Sequence, residues 1–78
     1  KNMAHLSDIK PGAIFTHYKN KDYEVIDLAT DEATLDRVVV YRTLYGVFDV
    51  WVRKVESFCG SVELEGKTVE RFALKKSA

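Results

Sequence analysis

A planar guanidinium beside an indole can hold an anion or sandwich a flat ring, and Arg42, Trp51 and Arg53 offer that chemistry here. Trp51 and Arg53 are two residues apart, so on a strand they share one face. Gly46 and Val47 read as a two-residue hairpin reversal, with glycine first as a type II′ turn prefers. That loop would put Arg42 on the same face, directly across from Trp51. Guanidinium over indole is worth about 0.5–1 kcal/mol when exposed. The three residues then form either a self-contained structural stack or a surface that presents two guanidinium groups to an anionic ligand. Tyr18 and Lys19 extend the strip.

Other chemistry is thinner. His5 and His17 are the only histidines, and neither has a second His or a Cys within four residues, so no metal-ligand spacing exists. His17, beside Tyr18 and Lys19, reads as a rim histidine or as a ligand-facing hydrogen-bonding group. Asp31, Glu32 and Asp36 lack the oxygen spacing and glycine of a calcium loop, and read as solvated loop charges. An enzyme would have to use His17 and Glu32 as base and acid, with no second histidine or activated nucleophile nearby. No serine sits in a glycine-flanked elbow, and no glycine-rich loop opens a helix, which excludes nucleotide binding of the P-loop or dinucleotide type. No cofactor is implied.

Twelve basic residues balance twelve acidic ones, so the chain lacks the positive excess of a protein that coats duplex DNA. The single Cys59 can form no internal disulfide, which a small secreted domain would need, and the expectation is a reduced, cytoplasmic thiol. No apolar run is long enough to span a membrane, and the first residues carry no signal-peptide pattern. Met3 suggests that the natural start lies there and that Lys1 and Asn2 precede it.

The elements that must position these groups are short strands. Residues 1–10 read as a flexible lead-in, residues 11–72 as one β domain, and residues 73–78 as a frayed tail. Pro11-Gly12 and Lys19–Asp22 are turns. Strands are expected at Ala13–Tyr18, Tyr23–Thr30, Asp36–Tyr45, Phe48–Arg53, Val62–Leu64 and Lys67–Phe72, the last two around Glu65-Gly66. One helical turn fits Lys54–Gly60, where Val55 and Phe58 are spaced i, i+3. Six short strands without a long helix predict an all-β fold, a small antiparallel SH3-like barrel or rolled sheet. The parity argument puts Tyr41, Thr43, Tyr45, Phe48, Val50 and Val52 on the core face. Arg42, Leu44, Asp49, Trp51 and Arg53 would face the other way.

Strung together, His17-Tyr18-Lys19, Tyr23-x-Val25, Glu32-x-Thr34, Val39-Val40-Tyr41-Arg42-x-Leu44-Tyr45-Gly46, Trp51-Val52-Arg53 and Arg71-Phe72 resemble a family of short bacterial proteins known as domain of unknown function DUF1653. The chain departs from that pattern at Lys54 and Glu70, where the family has proline, and at Ser57, where it has methionine. It also has no histidine before Glu32-x-Thr34. The resemblance implies a compact all-β domain without an established activity. It marks His17, Tyr18, Lys19, Glu32, Tyr41, Arg42, Tyr45, Trp51 and Arg53 as positions to test.

The residues are thus read as a non-enzymatic binding module. Its ligand-binding set is His17, Tyr18, Lys19, Glu32, Arg42, Trp51 and Arg53, and its ligand an anion such as a nucleotide, RNA or acidic peptide. The alternative is an interaction or assembly domain that docks a protein through a strand edge or a Phe48/Trp51 patch.

Overall fold

Burial alternates along the two longest strands, and this decides which side of the sheet becomes the interior. The computed structural model describes residues 5–78. A 3-10 turn at Leu6–Asp8 is followed by β1 (Ile14–His17), β2 (Lys21–Thr30), β3 (Arg37–Thr43) and β4 (Val50–Lys54). Then come the single-turn helix α1 (Val55–Phe58), β5 (Ser61–Leu64), β6 (Lys67–Glu70) and β7 (Phe72–Lys76). Tyr23 and Val25 on β2, with Val39, Tyr41 and Thr43 on β3, are all buried and point to one side. The valine run of β3 suits an interior strand of the sheet, where β-branched side chains pack well on both neighbours.

Five strands form one antiparallel sheet in the order β4-β3-β2-β1-β7, and β5 pairs with β6 in a separate hairpin. Strand makes up 53% of the described residues and helix 9%, so the chain is mainly β. Register shifts between Val25 and Asp27, and between Ile14 and Phe15, add bends that roll the sheet. It does not close: β4 and β7 remain edges, and of the two expected architectures the rolled sheet is the one adopted.

The concave side holds the core. Phe15, Phe58, Phe72, Val25 and Val39 are fully buried there. α1 exists to deliver Phe58, whose ring stacks flat on Phe72 with centroids 4.0 Å apart, while Phe15 meets Phe58 edge-on at 5.1 Å. The expected hairpin at Glu65-Gly66 is present, both residues having positive φ as a two-residue turn demands.

Three expectations need correction. Residues 73–78 are not a frayed tail, because Phe72–Lys76 form β7 and pair with β1. Lys75 also reaches Asp22 at 2.6 Å and pins the strand from its polar side. Nor is the lead-in loose over its described part: Ile9 is buried in the core cluster, and Gly12 donates its N–H to the Val25 carbonyl. Residues 1–4 lie outside the described residues. The third correction is the β3–β4 reversal, and it moves the candidate site.

Candidate anion-binding site

Thr43 controls the reversal. Its N–H donates to the Asp49 carbonyl at 2.9 Å, its Oγ1 accepts from the Asp49 N–H at 3.0 Å, and the same hydroxyl donates to the Tyr45 carbonyl at 3.1 Å. Gly46 and Phe48 both have left-handed φ, which only glycine adopts without strain. The loop therefore runs from Leu44 to Phe48, an odd number of residues, and every β4 side chain is turned to the face opposite from the expected one. Tyr41 lies across from Trp51, and Arg42 across from Val50. The expected Arg42–Trp51 stack is absent. Arg42 sits on the convex face, where its Nη1 donates to the Phe48 carbonyl at 2.9 Å.

Trp51 and Arg53 instead join the concave face, at the open end of the core. The indole lies 6.0 Å from the Tyr23 ring and 6.3 Å from Tyr41, and 42% of Trp51 remains exposed. The Arg53 guanidinium packs over Phe72 at 5.9 Å and donates from Nη1 to Ser57 Oγ at 2.9 Å. Arg71 approaches the same residue, donating from Nε to the Ser57 carbonyl at 3.1 Å. α1 thus gathers two guanidinium groups on one serine. His17 closes the cluster, 4.9 Å from Phe72 and 4.4 Å from Tyr18, while Lys19 lies over Tyr18 and Lys21 over Tyr45.

None of these cations has a carboxylate partner. Among the described residues the ion pairs are Lys54–Asp36 and Lys75–Asp22, both outside the cluster. Arg53 Nε is buried without any hydrogen-bond acceptor. An unmet buried donor costs about 1–3 kcal/mol, so this arginine is held where folding alone gains little from it.

The neighbouring charges act on His17. Partial burial, then Arg53, Arg71 and Lys19, lower its pKa below the ordinary histidine value. Its Nδ1 accepts the Lys19 backbone N–H at 3.2 Å, so the neutral ring carries its proton on Nε2 and can donate from there. Burial, then the Tyr45 hydroxyl 2.6 Å away, push the Tyr23 phenol up.

A pH dependence follows with a definite sign. The unfolded chain takes up a proton at His17 near 6.5, before the folded protein does. Stability is complete above that value and falls as the pH drops through it towards the folded pKa. Urea midpoints at pH 7.5 and 5.5 are expected to show this loss, and His17→Gln to reduce it. An anion bound beside His17 reverses the sign for binding, so affinity should rise on acidification.

Of the residues marked from sequence, His17, Tyr18, Lys19, Trp51 and Arg53 come together. Arg42 does not, and neither does Glu32. Glu32 lies in the loop after Thr30 while His17 pairs with Lys21 at the other end of β2, roughly 30 Å away at 3.3 Å per residue. An acid–base pair of His17 and Glu32 is therefore not formed. In that distant loop Asp31 accepts the backbone N–H groups of Ala33 and Thr34, so the acidic cluster shapes its own turn. A shallow surface depression lined by Asp36, Arg37, Lys54, Val55 and Glu56 shares no residue with the aromatic cluster.

Lys21, Tyr23, Tyr45, Ser57, Arg71 and Phe72 belong to the site but were not singled out as ligand contacts. Arg71-Phe72 had a signal, since that pair closes the family pattern.

The family model for DUF1653, described as a protein of unknown function, matches residues 13–74. The chain belongs to the DUF1653 family. The matched DUF1653 span contains every member of the cluster, from His17 on β1 to Phe72 on β7. A crystal structure of a DUF1653 protein from Bordetella bronchiseptica is similar to this chain with a TM-score of 0.79 and 28% sequence identity. It aligns over 95% of this chain and 96% of its own. No curated protein matches at a significant level. Among the described residues no helix is long and apolar enough to cross a membrane.

Proposed function

We propose that this DUF1653 domain is a non-enzymatic binding module whose concave basic-aromatic site takes an anionic ligand. The observation that carries the reading is the convergence of Arg53 and Arg71 on Ser57, beside Lys19 and Lys21, with no carboxylate to neutralise them. Guanidinium forks suit carboxylate and phosphate oxygens, and the half-exposed indole supplies a flat apolar wall. Nucleotides, RNA and acidic peptides share that chemistry. A bacterial cytoplasm fits as the place of work, since the single Cys59 offers no internal disulfide of the kind small secreted domains carry.

The test is a proton–nitrogen chemical-shift titration with adenosine monophosphate, oligouridylate and a glutamate-rich peptide. Shifts are expected at His17, Lys21, Arg53, Arg71 and the Trp51 indole, with Arg42 and Glu32 unmoved. Shifts centred on Arg42, or no shift with any probe, would remove the proposal.

A further inference from the structure

Along the concave side of β4 and the residue before it, Asp49, Trp51 and Arg53 set a carboxylate, an indole and a guanidinium in a row. The indole Nε1 donates to Asp49 Oδ2 at 3.4 Å, which keeps the carboxylate at the Trp51 end. Arg53 lies two residues on, about 6.6 Å along the strand, and meets Arg71 on Ser57. Tyr23 forms the floor between the two ends. Its ring is 6.0 Å from the indole, 6.2 Å from His17 and 5.6 Å from Phe72, over which Arg53 packs. The site is therefore polarised: an aromatic wall beside a carboxylate at one end, and guanidinium groups without a carboxylate at the other.

That polarity sorts the anions. A glutamate-rich peptide crossing the indole brings carboxylates against Asp49, a like-charge cost. A ligand with a neutral ring and its charge one step away meets no such cost, the ring lying on the half-exposed indole and the anion on the arginines. The charged end is also rich in donors. Arg53 uses Nη1 on the Ser57 hydroxyl, and Arg71 uses Nε on the Ser57 carbonyl. Arg53 Nη2 and both terminal nitrogens of Arg71 have no partner among the described residues and, unlike Arg53 Nε, are not sealed from solvent. His17 Nε2 adds one more N–H, since Nδ1 is taken by Lys19. A terminal phosphate offers three oxygens to such a set, where a carboxylate or a phosphodiester offers two.

We propose that the concave site takes a nucleotide by its terminal phosphate, with the base stacked on Trp51 and the phosphate held by Arg53, Arg71 and His17. This rests on the anion-site reading and adds to it the ring and the kind of anion. The span from indole to guanidinium is that of one nucleotide, base to phosphate. A free mononucleotide and the 5′-phosphorylated end of an RNA present the same unit.

Chemical-shift titrations with adenosine 5′-monophosphate, adenosine, ribose 5-phosphate, a glutamate-rich peptide, and oligoadenylate with and without a 5′-phosphate test it. The monophosphate is expected to bind roughly tenfold or more tightly than either of its halves, moving both the Trp51 indole and the Arg71 guanidinium. Trp51→Leu keeps an apolar side chain against Tyr23 and Tyr41, and should reduce the monophosphate to the level of ribose 5-phosphate while leaving the sugar phosphate unchanged. Should that variant not fold, the comparison of the monophosphate with ribose 5-phosphate on the unaltered protein makes the same test. Equal affinities there remove the base from the site and overturn the proposal, while leaving the anion site standing. A peptide that binds more tightly than the monophosphate does the same. No shift with any phosphate takes the anion site away as well. Oligoadenylates that bind equally with and without the 5′-phosphate overturn the terminal grip. A phosphorylated oligoadenylate stronger than the monophosphate supports the proposal and names an RNA end as the source; equal strength supports it and names the free nucleotide.

Discussion

Phe72→Ala is expected to lower the unfolding free energy by about 3–5 kcal/mol, a large share of the roughly 4–12 kcal/mol usual for a 78-residue chain. The ring is 1% exposed and stacks on Phe58, and it also meets the edges of Tyr23, Tyr41 and His17. Phe72 thereby joins β7 to α1 and to the candidate site. Urea denaturation followed by tryptophan fluorescence gives the number, and Phe72→Leu should recover most of it, because the volume is nearly kept. A loss below about 1 kcal/mol would mean that β7 is not docked as described.

The second large effect separates stability from binding. Arg53→Met removes a guanidinium whose Nε is buried without an acceptor and leaves an unbranched apolar chain over Phe72. Stability is therefore expected to stay level or rise. Anion affinity should fall by about 2–5 kcal/mol, the usual result of truncating one partner of a desolvated charge pair. That is a loss of roughly thirtyfold or more. His17, relieved of its strongest neighbouring charge, should titrate closer to the ordinary value. Chemical-shift titration and a urea midpoint on one sample measure all three. Unchanged affinity would place the anion elsewhere; a large loss of stability would make Arg53 a structural residue.

Local patterns in the sequence carry most of the fold. Valine and tyrosine runs mark β2 and β3, Glu65-Gly66 marks a hairpin, and Val55 with Phe58 marks the one helical turn. β7 was hidden because Leu74-Lys75-Lys76 looks like a solvated end. Its strand character comes from β1, a partner distant in sequence, and from the Lys75–Asp22 contact. The site was legible in its residue types and not in its sides. Gly46-Val47 is a good two-residue turn, but the Thr43 hydroxyl bonds to Asp49 and Tyr45 and lengthens the loop to odd parity. One residue of slip sent Arg42 out and brought Trp51 and Arg53 in. Ser57 was invisible because its role depends on α1 meeting β4 and Arg71 in space.

The pairing of β1 with β7 also sets an order of assembly. β1 precedes β7 by more than fifty residues, so Phe15 and His17 gain their neighbours Leu74 and Phe72 only after all the intervening strands have been made. A nascent or truncated chain thus carries an uncovered strand flank that invites mispairing, and the sheet zips shut only at the end, the slow, non-local closure expected of high contact order.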